Sequence, residues 1–501
     1  MKDLLELVQI VNPGKLATVQ WGPFGPKTSK LQAFYDLVIN GKLREDEEAA
    51  HYFYAKDKQD PAYQKLRKTL KDRLTSFIFL IDLDAPTYTD RQRAYYECYR
   101  EWAAAKILYG KSARIAATSL SRKILKIARK YEFTELRLDI CHNLRLYYGT
   151  IEGDVKMFQQ YNDEFKELTH LWLEETLAEE LYILLIISFI NSKSTKKDYQ
   201  EMAQNYYHQL KPSLEKFDSH QLHFYGRLIE VAIYTSVNDY VNTLKVCDDA
   251  IAFFEAKEFS ASTALNIFHY EKLICNLQLR QFDEAIATAD LCLKHMEEGT
   301  FNWFKLYELY FLVYMHSASY DCAVDKLKVA MEHPVFSKLP ENIQETWKIF
   351  EAYTYFLEMI GHLPHSDHEG QQHKIFRMNK FLNEMQVFSK DKQGMNVPIL
   401  ILEILMAVVK KQYSELIDRL EAIDKYRRRY LTSPDMERTN LFLKMLLQLP
   451  KSGFQKAPIL HKTQGYFKDL EAIPIEMANQ AHEIEIIPYE KLWQIVLDLL
   501  A

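Results

Sequence analysis

No proline occurs between Pro86 and Pro212, a stretch far longer than any single helix of an ordinary globular protein. Proline breaks helices because it lacks the backbone N–H and clashes with the carbonyl four residues back. A stretch without it can be helical throughout, with its breaks made by Gly, Asn, Asp and Ser turns. Candidate breaks fall at Tyr109–Lys111, Glu132–Thr134, Gly149–Gly153 and Asn191–Lys196. Between them apolar residues recur at steps of three and four, as in Ala113, Ala117, Leu120, Ile124 and Ile127, the stripe of an amphipathic helix. Helical segments joined by short turns pack as antiparallel pairs. The rest of the chain agrees. Its 14 Gly and 15 Pro in 501 residues are roughly 3% each, against usual values of ~7% and ~5%. That scarcity excludes an all-β sandwich, a collagen or a disordered linker, and the 13% aromatic content supplies a sizeable core. The expected class is all-α.

The first ten residues, MKDLLELVQI, carry Asp3 and Glu6 where a secretory signal would be basic. The longest strongly apolar run, Leu181 to Ile190, is about half the ~20 residues that cross a bilayer. The six cysteines (Cys98, Cys141, Cys247, Cys275, Cys292, Cys322) form no C-x-x-C pair and fall inside helical patterns, which fits buried free thiols in a reducing compartment. A cytoplasmic protein without a membrane partner is expected.

The near-neutral total, 63 basic against 69 acidic residues, conceals a local asymmetry. Trp102 to Tyr131 holds Lys106, Lys111, Arg114, Arg122, Lys123, Lys126, Arg129 and Lys130 and no acid, whereas the last thirty residues lean acidic. A basic segment of this kind calls for an acidic neighbour. Arg122, Lys126, Arg129 and Lys130 share one side of the expected helix, opposite the apolar stripe. Lys111, Arg114, Arg122, Lys126, Arg129 and Lys130 are therefore the candidate contact residues for an acidic protein or peptide, either a partner or another helix of the same molecule.

Three windows repeat a pattern: Tyr234–x5–Tyr240 continuing VNTLKVCDDAIAFF, Leu279–x2–Phe282 continuing DEAIATADLCLKH, and Tyr314–x5–Tyr320 continuing DCAVDKLKVAMEHP. A fourth starts at Tyr413, continuing SELIDRLEAIDKY. Each sets an aromatic in a turn, then small or apolar residues at +3, +7 and +10. The clearest copy has Tyr314, Tyr320, Ala323, Leu327, Ala330 and Pro334. On these residues the sequence resembles the tetratricopeptide repeat (TPR). It departs from that pattern in spacing, in the turn glycine, which is replaced by Ala318 and its counterparts, and in Asn276, which stands where a helix aromatic belongs. The resemblance implies a right-handed superhelix, an α-solenoid of antiparallel helix pairs whose concave face grips a partner. The C-terminal third, through FSKDKQGMNVPILILEIL and HEIEIIPYEKLW, also resembles an uncharacterised family of bacterial TPR-like proteins, which implies a bacterial origin and no chemistry. The expected organisation is an N-terminal helical cap over 1–86, TPR-like repeats over 87–335, divergent repeats over 336–450 and a C-terminal cap over 451–501. HEIEIIP alternates like a short extended segment before a last helix.

Phosphate-cradling glycine loops and nucleophile elbows are absent from the sequence, and no cofactor is expected. The richest titratable cluster, GHLPHSDHEGQQHK, contains His362, His365, His368 and His373 with Asp367 and Glu369. His368-Glu369 followed by His373 is one residue too long for the zinc-protease motif, and i and i+5 diverge by about 140° on a helix. A polar loop is expected there, with a metal-dependent enzyme as the sharper alternative. Leu31–Ile39 reads as a helix, and after it Glu45–Tyr54 and a helix opened by Pro61 form a loosely helix-turn-helix-like segment over 44–80. Its last helix carries Lys65, Arg67, Lys68, Lys71 and Arg73, the contact set of a second alternative, a nucleic-acid-associated regulator. The leading expectation is a non-enzymatic interaction scaffold.

Overall fold

The structure is a computed structural model that describes residues 1–10, 29–83, 88–190, 196–294, 296–364, 380–382, 385, 396–431, 436–473, 475 and 485–500. Among the described residues every regular element is a helix and there is no strand. None of these helices is long and apolar enough to cross a membrane. The chain forms two compact units, Met1–Trp172 with Glu258–Ser260, and Leu173–Lys257 with Ala261–Ala501.

The first unit begins with α1 (Lys2–Ile10), α2 (Lys30–Ile39), α3 (Asp46–Tyr54) and α4 (Pro61–Phe77). Local chemistry fixes their starts. Ser29 caps α2, and Asp60 caps α4 by accepting from the Ala62 and Tyr63 amides, with Pro61 at the first helical position. Leu4, Val8, Phe34, Tyr35, Tyr63, Leu70 and Leu74 form a small core of their own. α5 (Asp90–Gly110) opens with a Thr89–Gln92 capping box. α6 (Arg114–Lys130), α7 (Thr134–Tyr147), a π-helical turn over Tyr148–Glu152 and the start of α8 (Val155–Ile190) follow, around a second core that includes Cys98, Trp102, Ile124, Leu125 and Ile140.

The second unit takes the rest of α8, then α9 (Lys196–Lys216), α10 (His220–Thr235), α11 (Tyr240–Glu255), α12 (Ser262–Gln278), α13 (Phe282–Lys294), α14 (Phe301–Ser317), α15 (Tyr320–Met331) and α16 (Glu341–Met359). It closes with α17 (Asn396–Val409), α18 (Tyr413–Tyr430), α19 (Glu437–Leu446), α20 (Lys456–Ala472) and α21 (Tyr489–Leu499). From α9 onward each helix packs on the next, the arrangement of a helical-repeat array.

One turn recurs through both units. Ser112, Glu132, Asn238, Arg280, Ala318 and Lys411 all have left-handed backbones, with φ between 54° and 64°, and each lies two residues before a helix. In every case the left-handed residue's N–H reaches the carbonyl three back, and the following N–H reaches the carbonyl five back, as from Ser319 to Tyr314 and from Gln281 to Asn276. This is the Schellman closure, which satisfies the last carbonyls of the outgoing helix. After it the residues at +3, +7 and +10 are buried in all four repeat windows: Thr243, Cys247 and Ala250; Ala285, Ala289 and Cys292; Ala323, Leu327 and Ala330; Leu416, Leu420 and Ile423. Asn276 is buried at the aromatic's place and donates to Thr288 across the hairpin, 3.4 Å away.

Three expectations are corrected. α6 buries Ala117, Ser121, Ile124, Leu125 and Ala128, while Leu120, Ile127 and Ala113 are only half-buried. Counted from Arg114, Ala117, Ser121 and Ile124 are again +3, +7 and +10, so α6 follows the register of the later hairpins. Its buried Ser121 hydroxyl is satisfied by the Ala117 carbonyl at 2.7 Å and the Tyr109 hydroxyl at 3.1 Å. Cys322 is exposed, unlike the other five cysteines, because it lies two positions past Tyr320 on the outer side of α15. Ile486 and Ile487 are both buried, so the described end of HEIEIIP does not alternate.

Candidate functional site

The basic stretch of the first unit divides into paired and unpaired cations. Lys106 reaches Asp139 at 2.9 Å and Lys123 reaches Glu101 at 2.6 Å. Arg129 forks onto Glu164 of α8, its Nε 3.0 Å from Oε1 and its Nη2 on Oε2, and Arg137 approaches the same carboxylate at 3.4 Å. Burial works against the Glu164 charge, but Arg129 and Arg137 outweigh it and hold this carboxyl low. The Lys130 ammonium sits 5.1 Å from the centre of the Tyr131 ring. Lys111, Arg114, Arg122 and Lys126 are exposed and have no ion pair among the described residues. Of the six candidate residues, Arg129 alone is drawn into an ion pair of the fold; Lys130, also exposed, lies beside the Tyr131 ring.

The basic face of α4 contracts in the same way. Arg67 bonds Asp3 at 2.7 Å and Asp46 at 2.9 Å, and Lys71 bonds Asp3 at 2.7 Å. Lys65, Lys68 and Arg73 stay exposed. Asp60 occupies the α4 N-terminus, where a phosphate would otherwise find amide donors.

A second site lies in the second unit, where no local motif announced it. A cavity of about 490 Å³ opens between the α12–α13 turn, the end of α14 and the segments around α20 and α21. Its apolar wall includes Leu277, Leu279, Phe282, Ile473, Ile475 and Pro488, and its polar wall includes Arg280, His316, Glu471, Glu490 and Lys491. Behind the wall, Arg438 of α19 is 7% exposed and forks onto Glu485, Nε to Oε1 at 2.5 Å and Nη2 to Oε2 at 3.0 Å. The same guanidinium reaches Glu490 at 2.9 Å and donates to the Leu470 carbonyl at 2.9 Å and to the Ile473 carbonyl. Burial disfavours the Arg438 charge, yet the two carboxylates more than offset it and its pKa rises.

His316 is buried, its Nε2 2.5 Å from the Glu485 carbonyl oxygen, and burial pushes its pKa down to about 4. It is a neutral donor at pH 7. Lys491 spends one N–H on the His316 carbonyl at 2.6 Å, and burial, aided by the nearby Arg280 charge, lowers its pKa. Among the described residues Arg280 pairs with Glu490, at 3.4 Å, and it is 63% exposed.

Of the histidine cluster, only His362 lies within the described residues; His365, His368 and His373 fall outside them. Among the described residues no group of three potential ligands is placed to hold a metal. Burial lifts the thiols of Cys98, Cys141 and Cys292 to about 12, which leaves them protonated at neutral pH. No protein-family model, no curated protein and no solved structure matches this chain.

Proposed function

We propose that the protein is a non-enzymatic interaction scaffold that captures an acidic protein or peptide through the outer face of α6. The observation that carries this reading is the division of the basic segment: Lys123 and Arg129 meet carboxylates of their own unit, while Lys111, Arg114, Arg122 and Lys126 meet none among the described residues. Arg122 and Lys126, one turn apart on α6, repel each other by a few tenths of a kcal/mol, and an acidic partner relieves that cost. A helical-repeat array supports such a role, because it offers an extended surface that needs no catalytic centre. Free thiols buried in helices fit a cytoplasmic setting.

The test is fluorescence anisotropy with labelled poly-glutamate and with a random DNA duplex of matched charge. The expected result is salt-sensitive binding of poly-glutamate in preference to the duplex. It should weaken at least tenfold in the Arg114→Glu, Arg122→Glu, Lys126→Glu triple variant while the thermal midpoint holds. Preference for the duplex, lost on replacing Lys65, Lys68 and Arg73 with alanine, would instead establish the nucleic-acid reading. Undiminished poly-glutamate binding by the triple variant rejects the α6 site.

A further inference from the structure

The cavity of the second unit has the dimensions of a small-molecule site: its ~490 Å³ falls within the roughly 300–1,000 Å³ typical of such pockets. More than half of its lining residues are apolar, among them Leu277, Leu279, Phe282, Ile473 and Ile475. Arg280 and Lys491 face Glu471 and Glu490 in equal number, but the acids are not free to pair with both cations. Glu490, the acid next to the two cations, is already held by Arg438 at 2.9 Å and is only 14% exposed. Arg280 meets that carboxylate at 3.4 Å, a long contact, so most of its five N–H donors remain uncommitted. Lys491 has a carbonyl, not a carboxylate, as its bonded partner, and two of its three N–H groups remain. Glu471, the other acid of the wall, is exposed.

We infer that this cavity binds a small organic carboxylate with an apolar body, its carboxylate held between Arg280 and Lys491 and its body against Leu277, Phe282 and Ile473. The planar guanidinium fork matches a carboxylate, and the ammonium adds a point charge at its side. With Glu490 engaged by Arg438 and Glu471 exposed to solvent, two neighbouring cations are each stabilised by an entering anion. The lowered pKa of Lys491 has the same origin, burial and the neighbouring Arg280 charge. His316 takes no part in chemistry here, since its ring nitrogen is committed to the Glu485 carbonyl. The site lies in the second unit alone and stands independently of the acidic-partner reading for α6.

The experiment is isothermal titration calorimetry of the full chain with octanoate, with 1-octanol (the same body without charge), with acetate (the charge without the body) and with a leucine-ended hexapeptide bearing a free or an amidated C-terminus. Octanoate should bind at least tenfold more tightly than octanol and acetate. It should lose at least tenfold in Arg280→Asn, a substitution that keeps a residue tolerant of the left-handed turn, and again in Lys491→Met. Equal binding of octanoate and octanol, or no loss in Arg280→Asn, would overturn the carboxylate assignment. A free-carboxylate peptide binding more tightly than octanoate, with the amidated form silent, would overturn the small-molecule assignment and make the occupant a chain terminus.

Discussion

Ala318 sits in the left-handed region at φ 64°, where a side chain costs an L-residue roughly 1–2 kcal/mol, and glycine would be free of that cost. Part of the gain is returned through the greater freedom of glycine in the unfolded chain. Ala318→Gly should therefore stabilise by about 0.5–1 kcal/mol, read as a rise in the urea midpoint. Five positions on, Ala323 is fully buried against α14, and Ala323→Leu should overpack the hairpin and destabilise by ~1–3 kcal/mol. A titrating residue makes a different kind of prediction. Glu271 of α12 has its pKa raised to about 7 by burial, and its neighbour Lys272 is engaged with Asp248 at 2.5 Å. The folded protein holds this proton more tightly than the unfolded chain, so the stabilisation is complete below pH ~4.5 and lost as pH rises through 7. Glu271→Gln, which mimics the protonated form, should raise the thermal midpoint at pH 8 and leave it nearly unchanged at pH 4. The full shift corresponds to ~3 kcal/mol, and the half-buried position reduces this to about 1–2 kcal/mol.

At the scale of elements, α6 separates cations that fold from cations that wait. Arg129→Glu should cost about 1–2 kcal/mol, because Glu164 is left half-buried beside a new negative charge; Arg122→Glu and Lys126→Glu should stay within ±0.5 kcal/mol. A guanidinium unfolding series on the three single variants reads the contrast directly, and equal costs would show that the whole row is structural. The same helix shows what the sequence made legible. The expected breaks at Tyr109–Lys111, Glu132–Thr134 and Gly149–Gly153 all separate observed helices, and the +3, +7, +10 rule found the buried face of four later helices. In α6 Arg114 replaces the turn aromatic that marks the other copies, and an apolar stripe favours Leu120 over the buried Ser121. Small residues such as Ala117 and Ser121 let α5 approach closely, and hydrophobicity alone does not rank that. The cavity was illegible for another reason. Its walls come from residues 277–280, 282, 316, 471–473, 475, 488, 490 and 491, and no local spacing joins positions so far apart. One trace was present: Arg438 shares a stripe with Leu441, Phe442 and Met445 at steps of three and four, an arginine in a row of buried side chains.

For the second unit as a whole, Arg438 ties the C-terminal segment to the body of the array. Its five donors reach Glu485, Glu490 and the carbonyls of Leu470 and Ile473, which joins α19 to the end of α20 and the start of α21. Glu485 in turn presents its carbonyl to His316 at the end of α14, and Lys491 of α21 donates to the His316 carbonyl, so the cation indirectly sets one wall of the cavity. A buried pair of this kind adds little over an apolar replacement, but removing one partner strands the other at a cost of ~3–5 kcal/mol. Arg438→Ala should show that loss, and an Arg438→Met, Glu485→Met double variant should recover much of it. Hydrogen exchange locates the effect. In Arg438→Ala, protection should fall in α19, α20 and α21 and in the His316 end of α14. It should be unchanged in α1 to α4, whose core of Leu4, Phe34, Tyr63 and Leu70 is separate. If Arg438→Ala exchanges like the parent chain, Ile486, Ile487 and Trp493 hold the segment by apolar burial alone. The cavity would then keep its shape without the charge network behind it.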